Sequence, residues 1–340
     1  MHAPSSLVPL GWSGRHAAQM AALNLPDAVP ARVARVDRGG ALVICDDGPR
    51  SVRGLGVAVG DWVAVRDVDV AAVFPRHSVV SRRAAGRAGA EQVIAANVDV
   101  VLVVQGLDRP LRVRRIHRAL ALAWDAGAAP VVALTKADLA DAPAMKAVLA
   151  DAAPGVEVHT VSVHTGQGLE ALAAVARPAR TIALIGESGA GKSSLANALV
   201  GAEAMATGAV RDGDAKGRHT TTARHLIPLP GGGVLIDTPG MRELGLWEAE
   251  GGVARAFRDI EELAGGCRFR DCRHESEPGC AVRAAAASGE LDPGRLDSLR
   301  DLRRELAAQE LRGDERARRR AGRRGERALR QALRAKGRRH

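Results

Sequence analysis

The chain has 340 residues, long enough for two or three domains with buried cores, but only 2% are aromatic and none is tyrosine, which argues against RNA recognition by base stacking. The formal net charge of +10 lies in residues 312–340, which contain thirteen Lys and Arg and three Asp and Glu, whereas the other 311 residues carry 36 of each. No apolar run approaches the roughly eighteen residues of a membrane span and no signal-peptide pattern follows Met1, so we expect a cytoplasmic protein without membrane contact.

The N-terminal quarter of the chain changes from an Ala-rich lead-in to short β-like runs. Residues 1–29 are expected to be a partly helical lead-in without chemistry. Residues 30–75 contain runs at 31–36, 41–45, 61–65 and 71–74 between Asp, Gly and Pro turns, a spacing that predicts a five-stranded oligonucleotide-binding (OB) β-barrel. A β appendage without a ligand would give the same pattern. Residues 76–91 are polar and basic without periodicity and are predicted to be a linker or loop.

Residues 92–245 are predicted to form a doubly wound α/β domain. The apolar run at 98–104 is typical of a strand buried on both faces of a parallel sheet. Helical patterns at 111–126, 143–149 and 169–175 then alternate with strand patterns at 130–134, 156–163, 181–186 and 233–237. Such βαβ repetition favours a parallel sheet with helices on both faces.

A glycine-rich stretch follows the strand at 181–186. Its Gly186, Gly191, Lys192 and Ser193 fit the phosphate-binding pattern G-x-x-x-x-G-K-[ST]. In such a P-loop, backbone N–H groups surround the phosphates, the lysine neutralises charge and the serine ligates Mg²⁺. A glycine-rich surface turn is the alternative, although motif and flanking elements agree. The predicted nucleotide contacts are Gly186, Glu187, Ser188, Gly189, Ala190, Gly191, Lys192, Ser193 and Ser194.

Two earlier stretches indicate which base is bound. Thr135-Lys-Ala-Asp138 resembles the guanine-reading N/T-K-x-D of GTPases, in which the Asp accepts hydrogen bonds from two guanine donors that adenine does not present. Thr135 stands where Asn is commoner. Val161-Ser-Val163 resembles the loop that backs the base. We therefore expect GTP and GDP as ligands, with base contacts from Thr135, Lys136, Asp138 and Ser162.

Two later stretches are candidates for the γ-phosphate switches. Asp237-Thr-Pro-Gly240 closes an apolar strand, where Asp237 can hold Mg²⁺ through water and Gly240 can offer a backbone N–H to the γ-phosphate, although a simple turn would look the same. In Arg218-His-Thr-Thr-Thr222, Thr221 is the preferred ligand for Mg²⁺ and the γ-phosphate, with Thr220 and Thr222 as alternatives. The predicted Mg²⁺ ligands are thus Ser193, Thr221 and Asp237.

The order of these motifs differs from that in Ras-like GTPases. There the P-loop comes first and the base motif late, whereas here residues 135–138 precede residues 186–193. We therefore expect a circularly permuted domain. Permutation keeps the three-dimensional site and places the end of switch II beside the C-terminal attachment.

That attachment, predicted at residues 246–311, is helical and carries Cys267-x₄-Cys272-x-His274-x₅-Cys280. Three thiolates and one imidazole are typical of a closed, structural Zn²⁺ site. Incidental free cysteines are the alternative. Residues 312–340 form a basic C-terminal tail.

As a set, these motifs resemble the ribosome small-subunit-dependent GTPase A (RsgA) family over roughly residues 30–311. The matching stretches are Asn97-Val-Asp99, residues 135–138, 186–194, 216–222 and 237–240, and Phe269 to His274 with Glu277 to Cys280. The resemblance implies a bacterial factor that binds the 30S ribosomal subunit and its 16S rRNA late in maturation and hydrolyses GTP slowly, with stimulation by the subunit. Met241 replaces the water-orienting Gln of Ras, which fits slow turnover. His219 is the candidate to orient water or sense the ribosome, and packing beneath switch I is the alternative.

The overall expectation is a monomeric, multidomain α/β protein. It has an N-terminal OB-type β-barrel, a central circularly permuted P-loop GTPase domain and a C-terminal helical zinc-binding domain. The basic tail is either a solvated segment or an rRNA-binding one that releases counterions. A metabolic P-loop phosphotransferase is one rival, but it has no use for Asp138. An RNA-binding module with a vestigial nucleotide site is another, and the intact Lys192, Ser193 and Asp237 argue against it.

Overall fold

The computed structural model describes residues 4–37, 39–54, 56–83, 91–206, 225–237 and 250–311. The predicted switch residues His219, Thr221 and Gly240 lie outside the described residues, as does the basic tail at 312–340. Asp237 is the last residue of a strand.

A closed five-stranded barrel follows a 3₁₀ turn (Val8–Leu10) and helix α1 (Gly14–Ala22). Its strands are β1 (Val29–Asp37), β2 (Gly40–Cys45), β3 (Gly48–Arg53), β4 (Trp62–Arg66) and β5 (Asp69–Val73). They pair in the order β1-β2-β3-β5-β4, and β4 pairs back to β1. Alternate side chains such as Val33, Val43 and Val63 fill the interior. The predicted barrel is confirmed, with one strand, β3, that the sequence pattern did not indicate.

Two antiparallel strands, β6 (Val79–Arg83) and β7 (Glu91–Ala96), connect the barrel to the α/β domain. β6 falls within the stretch at 76–91 for which we expected a linker or loop. Arg76, at the start of that stretch, is also tied down, because its Nε lies 2.7 Å from Oδ1 of the buried Asp61. Hydrogen bonding to neighbouring segments therefore orders residues that look unstructured by periodicity.

The α/β domain is built on a parallel sheet. Its strands are β8 (Val100–Gly106), β9 (Ala129–Thr135), β10 (Glu157–Thr160), β11 (Thr181–Gly186) and β13 (Val234–Asp237), with β12 (His225–Pro228) antiparallel to β13. Helices α2 (Val113–Asp125), α3 (Ala142–Ala152), α4 (Leu169–Ala174) and α5 (Lys192–Ala206) lie between strands, with a 3₁₀ turn at Ala137–Leu139. Every residue of β8 is buried, as the continuous apolar run predicts.

The spatial order of the strands is β10-β9-β8-β11-β13-β12. β11, which leads into the P-loop, lies in the middle of this set. The strands on one side of it precede it in the chain, and those on the other side follow it. The base motif after β9 and the P-loop after β11 therefore meet at the carboxyl edge of one sheet, as the predicted permutation requires.

The barrel and the α/β sheet are joined through β1. Arg35 of β1 pairs with His225 of β12, which makes one continuous sheet of eleven strands. Arg32, also on β1, is buried at this junction. Its guanidinium donates to Oγ1 of Thr181 at 2.6 Å and to the carbonyl oxygen of Leu10. The barrel is thus fixed to the strand that carries the P-loop.

The C-terminal part is helical. It contains α6 (Glu250–Ala256), α7 (Arg258–Ala264), α8 (Ala281–Ser288) and a helix over residues 293–311, with Phe257, Ile260 and Leu299 in its core. Arg295 anchors this part to the α/β domain by donating to the carbonyl oxygen of Ala152 at 2.6 Å. Across the described ranges, no helix combines the length and apolarity needed to span a membrane.

Candidate nucleotide-binding site and metal centre

The P-loop connects β11 to α5 and has the backbone that its glycines predict. Gly186, Gly189 and Gly191 all have positive φ, at 151°, 78° and 90°. A Cβ on Gly186 would lie 2.3 Å from the carbonyl oxygen of Val104, so a side chain does not fit there. α5 begins at Lys192, which directs its positive N-terminal end at the loop. The result is a concave backbone surface suited to phosphate.

Lys192 folds back over this loop. Its Nζ donates to the carbonyl oxygens of Gly186 at 2.7 Å and Glu187 at 2.6 Å. The ammonium group is therefore held where it can meet phosphate oxygens. Ser193 and Ser194, in the first turn of α5, are exposed. The hydroxyl of Ser193 is thus accessible to a cation.

The base motif is hydrogen-bonded directly to the P-loop. Thr135 is buried, and its hydroxyl donates to the carbonyl oxygen of Ala190 at 2.6 Å. Lys136 has a left-handed backbone, and its Nζ donates to the carbonyl oxygen of Gly189 at 2.8 Å. These two contacts fix the spacing between the segment expected to read the base and the segment expected to hold the phosphates.

Asp138 is the exposed end of this motif, and a buried serine orients its carboxylate. The hydroxyl of Ser162 donates to Oδ1 of Asp138 at 2.5 Å, and the N–H of Thr165 donates to Ser162 Oγ at 3.2 Å. The Ser162 hydrogen bond is the main cause of a lowered pKa of Asp138. The carboxylate is therefore an ionised acceptor at neutral pH, as recognition of guanine requires.

Asp108 and Arg109 also belong to the site, although no motif marks them. They follow β8 at the carboxyl edge of the sheet, where ligands of α/β proteins bind. Asp108 accepts from Lys136 at 2.8 Å, and Arg109 Nη1 lies 3.4 Å from the carbonyl oxygen of Ser188. Hydrogen bonds from Arg109 and Lys136 lower the pKa of Asp108 to about 2. Their position directly after a buried strand is the signal that could have identified them.

Glu187 of the P-loop lies among three arginines from the segment that begins α2. Arg112 Nη1 is 3.4 Å from Glu187 Oε1, Arg115 contacts the same oxygen, and Arg109 Nη1 is 3.9 Å from Oε2. We expected Glu187 as a nucleotide contact of the P-loop, and that stays a prediction. Its carboxylate is directed at these arginines.

The four predicted zinc ligands converge. The donor atoms of Cys267, Cys272, His274 and Cys280 all lie within 4.8 Å of one another. Cys267 Sγ is 3.9 Å from Cys280 Sγ, and Cys280 Sγ is 3.4 Å from His274 Nδ1. Ligands held tetrahedrally at the usual zinc distances are about 3.5–3.8 Å apart, so this donor set fits Zn²⁺.

The surroundings also suit a thiolate-bound metal. The N–H of Arg283 donates to Cys280 Sγ at 3.4 Å, and Arg300 donates to the carbonyl oxygen of the buried His274. Such contacts orient the ligands and stabilise thiolate charge. Cys45 is buried inside the barrel, away from this group.

The predicted Mg²⁺ ligands are described only in part. Asp237 is the last residue of β13, which pairs in parallel with β11, so its backbone lies at the sheet edge that carries the P-loop. Thr221, and the catalytic candidates His219 and Gly240, lie outside the described residues. Hydroxyl and carboxylate oxygens are the ligands Mg²⁺ prefers, so the chemistry of Ser193 and Asp237 fits this ion.

Comparison with known proteins agrees with this arrangement. The sequence profile of the RsgA GTPase family matches residues 73–247. A small ribosomal subunit biogenesis GTPase RsgA from Streptomyces avermitilis is 48% identical over 320 residues, which cover 88% of this chain and 85% of that protein. The corresponding protein from Opitutus terrae is 43% identical over 330 residues, covering 89% and 90%.

Two solved structures share the fold. YjeQ from Thermotoga maritima superposes with a TM-score of 0.62 at 25% identity, covering 82% of this chain and 99% of that one. YloQ, described as a circularly permuted GTPase, superposes with a TM-score of 0.61 over 84% of this chain and 97% of that one, and its 24% identity supports the fold alone. Because the family profile spans half the chain and the relatives match most of it, the chain belongs to the RsgA GTPase family of GTP-hydrolysing enzymes.

Proposed function

We propose that this enzyme binds GTP with Mg²⁺, acts in late maturation of the 30S ribosomal subunit and hydrolyses GTP slowly until the subunit stimulates it. The observation that carries the guanine part is the Asp138–Ser162 contact of 2.5 Å beside a Lys136 hydrogen bond to the P-loop. One nucleotide can therefore meet an oriented base acceptor and the phosphate cradle together. The ribosomal part is supported by relatives named small ribosomal subunit biogenesis GTPases.

In this proposal the site residues divide the work of hydrolysis. Lys192 and the loop backbone hold the phosphates, while Ser193, Thr221 and Asp237 hold Mg²⁺ directly or through water. An Mg²⁺ ion held there would neutralise negative charge on the phosphates. Gly240 contributes a backbone N–H to the γ-phosphate, and His219 orients water.

The flanking parts are proposed to dock on 16S rRNA. The barrel is of a type that binds oligonucleotides, and the basic residues at 312–340 can release counterions from phosphates. One Zn²⁺ on Cys267, Cys272, His274 and Cys280 would hold the C-terminal helices together. We further propose that the protein acts as a monomer in the cytoplasm.

The GTPase rate with and without purified 30S subunits tests this function. We expect slow turnover alone and a large increase when subunits are added, because the chain has Met241 where Ras has its water-orienting Gln. The control uses 50S subunits at the same RNA concentration. Equal rates in all three conditions would contradict the ribosomal role and leave a GTPase without a partner.

A further inference from the structure

Charge around the P-loop carboxylate Glu187 is unbalanced. Arg112 and Arg115 both contact one oxygen of this side chain, Oε1. They are 50% and 58% exposed, and the structure describes no other carboxylate in contact with either, within the ranges it covers. Arg109 differs, because it is also paired with Asp108 at 3.1 Å. Two solvent-exposed guanidinium groups therefore share a single carboxylate oxygen.

The other arginines of α2 pair with acidic residues of the C-terminal helix at 293–311. Arg114 pairs with Asp301 at 2.6 Å, which Arg304 also contacts at 3.5 Å through its other oxygen, and Arg118 pairs with Glu305 at 2.9 Å. These pairs fasten α2 to the C-terminal part. Arg112 and Arg115, at the N-terminal end of α2 beside the P-loop, differ because among the described residues they contact the same oxygen of one carboxylate.

We propose that Arg112 and Arg115 receive a backbone phosphate of ribosomal RNA, and that this phosphate displaces the carboxylate of Glu187. A phosphate diester spreads one negative charge over two non-bridging oxygens, and each oxygen can accept from a planar guanidinium, so it can satisfy two arginines where Glu187 offers them a single oxygen. Binding also releases counterions from the RNA, a gain that the internal carboxylate cannot match. The inference rests on the proposed function, since it takes the ribosomal subunit as the source of the RNA.

Displacement of the Glu187 side chain would affect the nucleotide site through the P-loop backbone. The backbone carbonyl of Glu187 accepts a 2.6 Å hydrogen bond from Lys192, the residue expected to hold the phosphates. Releasing the Glu187 side chain therefore loosens the loop segment on which Lys192 rests. If RNA bound at Arg112 and Arg115 changes the affinity for nucleotide by some factor, then by linkage bound nucleotide changes the affinity for that RNA by the same factor.

The test compares four variants for binding to purified 30S subunits, with saturating non-hydrolysable GTP analogue and over a range of salt concentrations. Arg112→Gln and Arg115→Gln should each weaken binding on the order of tenfold and reduce the salt slope by less than the roughly 0.7–0.9 expected for the one phosphate that they share. Glu187→Gln should strengthen binding, because the competing carboxylate is gone. Arg114→Gln is the matched control, at 63% exposure on the same helix, and should bind as the wild type does.

Glu187→Gln and the two arginine variants are expected to change 30S binding in opposite directions. This difference distinguishes competition between Glu187 and RNA from an ion pair that only stabilises the fold. If Glu187 and the arginines only stabilised the fold, then Glu187→Gln and Arg112→Gln would weaken binding together, and that result would overturn the inference. Variants that all bind like Arg114→Gln would overturn it as well, while leaving the proposed function intact. A wild type that fails to bind 30S subunits would overturn both. Thermal melting establishes that each variant is folded.

Discussion

The hydroxyl of Ser162 and the carboxylate of Asp138 are 2.5 Å apart, although 24 residues separate them in sequence. β9 and β10 are parallel neighbours, and their carboxyl ends bring the two segments together. Ser162 is buried and Asp138 exposed, so the protein fixes one carboxylate oxygen and presents the group to solvent. This arrangement makes the specificity for guanine testable at each residue separately.

Asp138→Asn should change the preferred base from guanine to xanthine. The amide presents a donor where the carboxylate accepts, and xanthine has a carbonyl where guanine has its amino group. Competition binding with GDP and xanthosine diphosphate measures the exchange. Unchanged GDP affinity in the variant would remove Asp138 from base recognition.

Ser162→Ala should reduce discrimination rather than abolish binding. Without the hydroxyl, the Asp138 carboxylate loses its orienting hydrogen bond and its pKa returns towards the ordinary value. We expect about a tenfold loss of GDP affinity and a smaller loss for inosine diphosphate, which lacks the amino group. Equal losses for both nucleotides would mean that Ser162 supports the fold alone.

Cys272→Ser should remove zinc and unfold the helices around it, while GDP binding is largely retained. A closed thiolate site contributes its own folding free energy, so the C-terminal part depends on the metal. Metal analysis and far-UV circular dichroism measure the two effects. Cys45→Ser is the control, since Cys45 is buried in the barrel, and it should keep full zinc content. A wild type without zinc would refute the site.

Acidification should destabilise the protein through His117. This side chain is fully buried, and burial is the main cause that lowers its pKa to about 4, from about 6.5 when unfolded. Between these two values only the unfolded chain binds the proton, so stability is complete above pH 6.5 and falls as the pH drops towards 4. The loss from this residue is about 2 kcal/mol at pH 5.

Urea unfolding at pH 7.5 and pH 5 measures this loss. Burial also lowers the pKa of His16 to about 4, so part of the pH dependence belongs to the N-terminal region. His117→Gln removes only the contribution of His117 and should be less sensitive to pH than the wild type. The exposed His164→Gln should retain the full dependence, and identical curves for all three proteins would contradict the assignment.

Deletion of residues 312–340 should weaken 30S binding equally with a non-hydrolysable GTP analogue and with GDP. The tail carries a net charge of +10 and contains none of the predicted switch residues, so its loss should flatten the salt dependence without changing the ratio between nucleotide states. The full-length protein should bind more tightly with the analogue. Equal binding in both states would contradict coupling between the switches and docking.

Much of the fold follows from patterns that are local in the sequence. Strands with continuous or alternating apolar residues, such as β8 and β2, lie where the sequence predicts them. β3 was missed because Gly48-Pro-Arg-Ser-Val-Arg53 contains a glycine, a proline and two arginines and buries only Val52. β6 was missed because it depends on pairing with β7 across the intervening residues.

Some residues of the candidate site could also be predicted from the sequence, and others could not. Lys192, Asp138 and the zinc ligands could be identified because chemistry fixes both residue type and spacing. Arg112 and Glu187 could not be connected from sequence, because 75 residues separate them and neither the arginines nor their spacing forms a motif. They come together because β8, the strand before Arg112, pairs in parallel with β11, the strand before Glu187.

The single pairing of Arg35 with His225 joins the barrel to the outer strand of the GTPase sheet. Excising the first 75 residues would remove this pairing and open the His225 end of β12 to strands of other molecules, the usual origin of edge-to-edge aggregation. It would also strip Thr181, at the base of the strand that leads to the P-loop, of its buried guanidinium partner. We therefore expect a minimal version of this enzyme to need the barrel.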